Sequence, residues 1–144
     1  MSAVKIEPYL NFAGRCEEAV AFYQTAIGAH MEFMMRFKDS PDPLPPGMVP
    51  PGHENRVMHV SLRVGDSILM ASDGCDNEHK FSGFSLSLAY MSAEEAQQVF
   101  AALGEGGKVE MPLGKSFWAP LFGMVTDKFG VTWMVSQHGA PPAA

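Results

Sequence analysis

The chain has 144 residues and a mass of 15.6 kDa, with 47% hydrophobic and 18% charged residues, which is typical of one globular domain. Ten Lys and Arg against sixteen Asp and Glu give a formal net charge of −6, which argues against a basic surface for nucleic acid. The sequence lacks an apolar run long enough to span a membrane, a signal-peptide pattern and the cysteines of a disulfide scaffold, so we expect a cytoplasmic protein without a membrane or nucleic-acid partner.

The first three elements are predicted to be a strand, a helix and a strand. Alternating apolar and polar residues predict a strand over Val4–Phe12. From Cys16 onward the apolar residues take the spacing of an amphipathic helix, which Gly28 is expected to stop. The segment His30–Phe37 is a second predicted strand.

A proline-rich loop and a hairpin follow. Residues 39–55 contain six prolines and two glycines, which predicts an irregular loop inserted into the fold. Alternation resumes over Arg56–Val64, and a turn at Gly65 leads into Ser67–Ser72, so these two segments are predicted to pair as a hairpin.

The second half of the chain shows the same order of elements. Phe84–Met91 alternates as a strand, and Ser92 followed by Glu95 is the capping pattern of a helix that ends near Gly104. Three more strands are predicted, over Lys108–Met111, Ala119–Asp127 and Val131–Gln137. The tail, 139–144, is predicted to be disordered.

The two halves therefore repeat one βαβββ unit. Aligning Glu18-Ala19 with Glu95-Ala96 places the two helices in register, with one strand before each helix and three after it. We expect an α+β fold in which units 4–72 and 83–137 form one domain over residues 1–138. Its curved mixed sheets are expected to leave a concave cleft.

The sequence resembles the PhnB-like branch, also called 3-demethylubiquinone methyltransferase-like, of the vicinal oxygen chelate superfamily, which includes glyoxalase I and bleomycin-binding proteins. The doubled βαβββ unit is the superfamily signature. The motifs that carry the resemblance are Pro8–Phe12, Cys16–Ala19, Phe22-Tyr23, Gly28, Val57–His59, Gly65–Asp73, Phe117–Ala119 and Asp127–Trp133. The resemblance covers nearly the whole chain and implies a homodimer.

Enzymes of this superfamily hold a divalent metal with His and Glu side chains, so the resemblance identifies four positions to inspect. These positions fall at Pro8, at Met70 or Ser72, at Ser85 and at Met134. None carries a histidine or a carboxylate, and shifting the register by one residue does not restore a set. The sequence therefore predicts no metal and no other cofactor.

The same positions suggest a cleft that binds a small apolar molecule. Alternation places Met70 and Met134 on the concave face together with small hydroxyl residues, which suits an apolar ligand oriented by a few hydrogen bonds. The predicted ligand-contacting residues are Met70, Ser72, Ser85, Ser87, Trp118, Phe122 and Met134. The alternative interpretation is that this face forms a dimer core, and both can hold together.

The strongest single candidate for catalysis is His59. It alternates with Met58 and Val60, so it points to the other face, where it could act as a general base. The simpler interpretation, which we favour, is a hydrogen-bonded histidine in a sheet. A relocated metal site is less favoured, because its four possible ligands lie in two separate loops: His53, Glu54, Glu78 and His79.

Two other motifs carry weaker signals. Cys16 begins a helix, where the dipole could lower its pKa, although a packing role is the favoured interpretation. The glycines at 104, 106 and 107 follow a helix and do not open one after a strand, so they do not resemble the phosphate or nucleotide loop of common methyltransferases.

The function predicted from these observations is metal-free binding of a small molecule, similar to the bleomycin-binding members, with the ligand unidentified. The alternative is a glyoxalase- or dioxygenase-like enzyme that uses a relocated metal or His59 as general base. The loop 39–55 is either a flap over the cleft or a surface insertion.

Overall fold

The computed structural model describes residues 3–138, and the predicted tail at 139–144 lies outside this range. The first half contains β1 (Tyr9–Asn11), α1 (Cys16–Ala26), β2 (His30–Arg36), a 3-10 turn (Phe37–Asp39), β3 (Val57–Val64) and β4 (Ser67–Ser72). The second half contains β5 (Leu86–Tyr90), α2 (Ala93–Leu103), β6 (Lys108–Gly114), β7 (Leu121–Thr126) and β8 (Thr132–Gln137). This order confirms the doubled βαβββ unit and the α+β class.

The chain divides into two compact units between His79 and Lys80, and each unit holds one four-stranded sheet. The strand orders are β1-β4-β3-β2 and β5-β8-β7-β6, so the sheets have equivalent topologies. In both sheets the first strand pairs in parallel and the others pair antiparallel, as expected for mixed sheets. In the described part of the chain, neither helix is long and apolar enough to cross a bilayer.

The first strand is much shorter than its alternation predicts. Residues 3–8 form no strand, and Val4 and Ile6 are 85% and 98% exposed. The carbonyl of Pro8 accepts a hydrogen bond from the Met70 amide, but proline has no N–H to donate in return. Regular strand pairing therefore begins only after Pro8, and the prediction of Val4–Phe12 was wrong in its length.

The sixth strand is longer than predicted and includes Pro112. Sequence reasoning ended this strand at Met111, whereas it continues to Gly114. β6 is an edge of its sheet, which is where strands tolerate proline. Its pairing with β7 has a register shift between Met111 and Gly114, and Pro112 lies within that irregular stretch.

Helix α1 covers one face of the first sheet. Val60, Leu62, Leu69 and Ala71 are buried on that face, where β3 and β4 pair Val60 with Ala71 and Leu62 with Leu69. The helix ends as predicted before Gly28, whose φ of +68° permits the reversal, and the Ala29 amide bonds back to the carbonyl of Tyr23.

The buried carboxylate of Asp73 joins three parts of the first unit. One oxygen accepts hydrogen bonds from the amides of Gly14 and Cys16, and the other accepts one from Val57, all at 2.8 Å. The side chain therefore caps the start of α1 and fixes it to the beginning of β3. It is only 3% exposed, so water does not compete for these contacts.

Helix α2 covers the equivalent face of the second sheet. The Ser92 hydroxyl accepts a hydrogen bond from the Glu95 amide at 3.3 Å, which confirms the predicted cap. Phe100 packs directly over Gly123 of β7, where a Cβ would lie 2.9 Å from the ring. Asp127 fixes the following turn, because its carboxylate accepts from the Trp133 indole at 2.8 Å and from the amides of Phe129 and Val131.

Candidate functional site

The sheet face opposite the helix in each unit, here called the open face, contains the candidate residues. In the first unit the strand register aligns Tyr9, Met70, Ser61 and Phe33 across the whole sheet. Directly opposed residues share a face. Tyr9 is 49% exposed and Phe33 is 48% exposed. Large apolar side chains left half exposed on one face of a sheet are characteristic of interaction surfaces.

His59 lies between these two aromatic residues. Its Nδ1 atom is 2.9 Å from the hydroxyl oxygen of Tyr9. Its ring centroid is 5.5 Å from that of Tyr9 and 6.1 Å from that of Phe33. The structure therefore places His59 on the open face, as alternation predicted, and also shows it hydrogen-bonded within a sheet.

Ser72 is held inside the unit. It is 5% exposed, and its hydroxyl oxygen accepts a hydrogen bond from the Gly74 amide at 2.7 Å. Burial raises the pKa of Tyr9, while a hydrogen bond with Ser72 acts in the opposite direction. Direct contact between Ser72 and a ligand stays a prediction.

The open face of the second unit carries a row of methionines. The register aligns Ser87 with Met134, Met134 with Met124 and Met124 with Met111. Beside this row, the hydroxyls of Thr126 and Thr132 are 3.0 Å apart. The row therefore consists of polarizable methionine thioethers, with the Ser87 hydroxyl at one end and the Thr126 and Thr132 hydroxyls beside it. Ser85 lies just before β5 and is half-buried.

Trp118 and Phe122 form an aromatic cluster in the second unit with Phe117. Trp118 contacts both phenylalanine rings edge to face, with centroids 4.7 Å from Phe117 and 5.1 Å from Phe122. Phe117 is 96% exposed and Trp118 is 58% exposed. Phe122 shares the row of Ser136 and Gly114 next to the methionines. The structure therefore joins Trp118 to Phe122, as the sequence suggested.

The residues at the superfamily's metal positions do not fit a divalent oxygen- and nitrogen-preferring metal. Pro8, Met70, Ser72, Ser85 and Met134 supply neither imidazole nor carboxylate. Over residues 3–138, no three side chains of His, Cys, Asp or Glu come together as a possible metal site.

Three of the four loop residues considered for a relocated metal, His53, Glu54 and His79, are described by their contacts. His79 packs edge to face against Phe12, and a Glu54 carboxylate oxygen accepts from the Gly52 amide at 3.3 Å. His53 has a buried Nδ1 atom without a hydrogen-bond partner. Within the described residues, these side chains do not come together as the alternative metal site that the sequence left open.

The thiol of Cys16 is not activated by the helix dipole. Burial raises its pKa well above the usual value, and the nearby charges of Asp73 and Glu17 add to the increase. The side chain is fully buried. The interpretation of Cys16 as a reactive thiolate was therefore wrong, and the packing interpretation agrees with the structure.

The loop 39–55 borders a surface cavity of about 250 Å³. Phe37, Leu44 and Val49 provide its apolar lining, and Lys38 and Glu54 provide its charges. No residue predicted to contact a ligand lines this cavity. The loop's role as a flap or as an insertion is still open.

Sequence reasoning missed Tyr9 and Phe33 as members of the open face. Tyr9 could have been found, because it alternates with Leu10 and lies two residues from Asn11 in the same short strand. Phe33 was harder to place, because β2 has register shifts on both sides of the Phe33–Met35 segment. A bulge reverses which residues share a face.

The chain is similar to proteins of one family over almost its full length. A family model described as 3-demethylubiquinone-9 3-methyltransferase matches residues 4–136. Protein YjdN of Escherichia coli K12 is 38% identical over 139 residues, which cover 91% of this chain and 93% of YjdN.

Solved structures extend this similarity to the fold. Protein PA1353 of Pseudomonas aeruginosa is 43% identical, with a TM-score of 0.82, over 96% of this chain and 100% of that one. The PhnB protein of Bacillus cereus is 28% identical, with a TM-score of 0.74, over 95% and 100%. The fosfomycin resistance protein FosX of Listeria monocytogenes, at 10% identity and a TM-score of 0.59 over 99% and 97%, shares the fold alone.

Proposed function

The chain belongs to the 3-demethylubiquinone-9 3-methyltransferase family, a PhnB-like branch of the glyoxalase/bleomycin resistance superfamily, and from this premise we propose that it binds a small apolar or aromatic molecule without a metal. The proposed binding surfaces are the open faces of its sheets, in a cytoplasmic protein. The observation that carries the proposal is the replacement of metal-ligand positions by thioether and hydroxyl side chains.

The composition of the two open faces supports an apolar ligand. Met70 lies between Tyr9 and Ser61 in the first sheet, and Met134 lies between Ser87 and Met124 in the second. Methionine side chains adapt their shape to a ligand, and nearby hydroxyls can orient it. Such a lining favours contact with an apolar ligand over coordination of a metal ion.

Methyl transfer, which the family description mentions, has no support from the glycines near α2. Gly104, Gly106 and Gly107 follow that helix and lead into β6, so they do not present a helix N-terminus to a cofactor phosphate or carboxylate. We therefore interpret the description as a family label. The second candidate function is an enzyme that uses His59, which the exposed Tyr9–His59 hydrogen bond brings into consideration.

A second copy of the chain is the other proposed partner. The half-exposed side chains of Tyr9, Phe33 and Met111 would be covered in a homodimer, as the resemblance to the superfamily implies. Ligand binding and dimer formation are compatible, because an interface can leave part of an open face accessible.

Methionine methyl NMR tests the proposed function directly. We expect aromatic compounds to shift the methyl signals of Met70, Met124 and Met134, which lie on the open faces. Met58 is the control, because it alternates with His59 in β3 and therefore lies on the opposite face of the sheet. A shift only at Met58, or no shifts across a broad panel of aromatic compounds, would contradict the proposal.

A parallel measurement tests the metal-free part of the proposal. The purified protein is analysed for bound metals, and its melting temperature is measured with divalent metals added. We expect no stoichiometric metal and no large stabilisation, because a metal that binds only the native state raises its stability. A metal bound at one equivalent would overturn this part and favour the enzymatic alternative.

A further inference from the structure

We infer that the loop 39–55 forms a second binding site, separate from the open faces, and that its ligand is a free amino acid with an apolar side chain. The site is the surface cavity of about 250 Å³ that the loop borders together with the 3-10 turn at Phe37–Asp39. All the described residues that line this cavity belong to the first unit, and none of them was assigned to an open face. The inference therefore goes beyond the proposed function.

Two Pro-Pro-Gly sequences, at residues 45–47 and 50–52, shape the loop. In each of them the amide of the residue after the glycine donates to the carbonyl of the first proline, at 3.1 Å in both turns. Gly47 has a φ of +80° and Gly52 a φ of +87°, as the third position of a type II turn requires. Because the prolines also restrict φ, the loop has a defined shape despite its irregular sequence.

Backbone hydrogen bonds join the two ends of the loop at the cavity. The Lys38 amide donates to the Glu54 carbonyl at 2.9 Å, and the Phe37 amide donates to the Arg56 carbonyl at 3.1 Å. A loop whose ends are held together in this way is a compact unit, and such loops frequently carry function. Since the turns and the joined ends already fix the loop, binding of a ligand costs little conformational entropy.

Apolar side chains provide most of the cavity lining. Phe37 is 6% exposed and gives the cavity a fixed base, whereas Leu44 and Val49 are half-buried. An apolar group that enters the cavity would bury more of these two side chains, which favours binding. The cavity is smaller than the about 300 Å³ at which sites for drug-sized molecules begin, so its ligand is small.

One cation and one anion complete the lining, Lys38 and Glu54. A carboxylate oxygen of Glu54 accepts from the Gly52 amide at 3.3 Å, which ties this anion to the second turn. Within residues 3–138, neither Lys38 nor Glu54 takes part in an ion pair, although their backbones are hydrogen-bonded to each other. Both charges are therefore available to ligand groups of opposite sign.

This pair of charges selects among small amphiphilic molecules. A carboxylic acid would be repelled by Glu54, and an amine would be repelled by Lys38. A zwitterion avoids both repulsions, because its carboxylate can contact Lys38 while its ammonium group contacts Glu54. An amino acid carries both charges at one end and an apolar side chain at the other, which matches the two parts of the lining.

Methyl NMR at pH 7 with three matched compounds tests the charge requirement. L-Phenylalanine has both charges, phenethylamine lacks the carboxylate, and 3-phenylpropionate lacks the ammonium group. We expect L-phenylalanine to shift the methyl signals of Leu44 and Val49. It should bind about fivefold more tightly than either analogue, as one additional ion pair at an exposed site predicts.

Two variants separate the contributions of the charges. Lys38→Met should abolish the preference for L-phenylalanine over phenethylamine. Glu54→Gln should abolish the preference over 3-phenylpropionate, while its amide oxygen can still accept from the Gly52 amide. Lys5→Met and Glu105→Gln are the controls, because both residues are exposed and lie outside the cavity lining. Both controls should keep both preferences.

The outcomes separate this inference from the proposed function. Equal affinity for the three compounds would overturn the inferred ligand class. No shift at Leu44 or Val49 with either L-phenylalanine or L-leucine, together with methionine shifts on the open faces from aromatic compounds, would overturn the second site and leave the proposed function standing. Shifts at Leu44 and Val49 with none at the open-face methionines from any aromatic compound would support the second site and overturn the proposed function.

Discussion

The buried carboxylate of Asp73 and the buried thiol of Cys16 have structural roles that the sequence predicts only in part. Asp73 follows a predicted strand end, yet nothing local indicates that it accepts three backbone hydrogen bonds from α1, β3 and the preceding loop. For Cys16 the sequence position was misleading, because the start of a helix suggested a lowered thiol pKa. The roles of Asp73 and Cys16 both depend on burial in the folded protein, which the spacing of residues in the sequence does not show.

Asp73→Asn should lower the free energy of unfolding by about 2–3 kcal/mol, because an amide NH₂ would replace one acceptor oxygen and face a backbone donor. Urea unfolding followed by circular dichroism measures the change. Asp66→Asn in the exposed β3–β4 turn is the control and should change stability by less than about 0.5 kcal/mol. Equal effects of the two substitutions would contradict the role given to Asp73.

Cys16 should not react with Ellman's reagent in the folded protein at about pH 8, whereas Cys75 should react, because the thiolate is the nucleophile. Cys75→Ser should then show almost no reaction until urea is added. Fast reaction of Cys75→Ser without urea would contradict the burial of Cys16.

The raised pKa of Cys16 also fixes the sign of a pH effect on the free energy of unfolding. The contribution of Cys16 to stability is complete below the unfolded pKa of about 8.5 and is lost as pH rises above that value.

At the scale of elements, apolar periodicity predicted both helices and most strand positions, while strand ends depended on pairing partners. Both Pro8 and Pro112 lie at edge strands, so edge position does not separate them. Regular pairing of β1 begins only after Pro8, which faces β4 and has no N–H to donate, whereas β6 continues through Pro112 with a register shift against β7. Sequence alone could not distinguish the two cases, since the pairing of each strand with its neighbour was unknown.

Gly107→Ala tests the close approach at the start of β6. A Cβ at Gly107 would lie 2.2 Å from the carbonyl oxygen of Thr126, so the backbone must move and unfolding should become easier by about 2 kcal/mol. Gly114, the last residue of β6, is the matched control, because the nearest atom to its Cβ is 4.0 Å away.

Thermal unfolding of the two alanine variants gives the comparison. Gly114→Ala should melt within a few degrees of the original protein, and Gly107→Ala should melt clearly lower. A Gly107→Ala variant as stable as Gly114→Ala would show that the backbone at Thr126 adjusts without cost.

At the scale of the whole molecule, the internal repeat was the most informative signal in the sequence. Once Glu18-Ala19 was aligned with Glu95-Ala96, the doubled unit followed, and the structure confirmed it. The candidate site was harder to predict from the sequence than the fold. Alternation found Met70, His59 and Met134, but the partnership of Tyr9 with His59 depends on a contact between residues 50 positions apart.

Light scattering tests the proposed homodimer. We expect a mass twice the 15.6 kDa of one chain, and Phe33→Glu or Met111→Glu should shift it toward the mass of a single chain. Val4→Glu is the control, because Val4 is 85% exposed and precedes β1. A single-chain mass for the unmodified protein would contradict the dimer.

Both tryptophans of the chain belong to the second unit, which makes that unit optically distinct from the first. Trp118 is 58% exposed beside Phe122, while Trp133 is 2% exposed and bonded to Asp127. Acrylamide should therefore quench the emission of one indole and spare that of the other. The protein thus contains two intrinsic fluorescent reporters, one for events at the aromatic cluster and one for loosening of the core beneath α2.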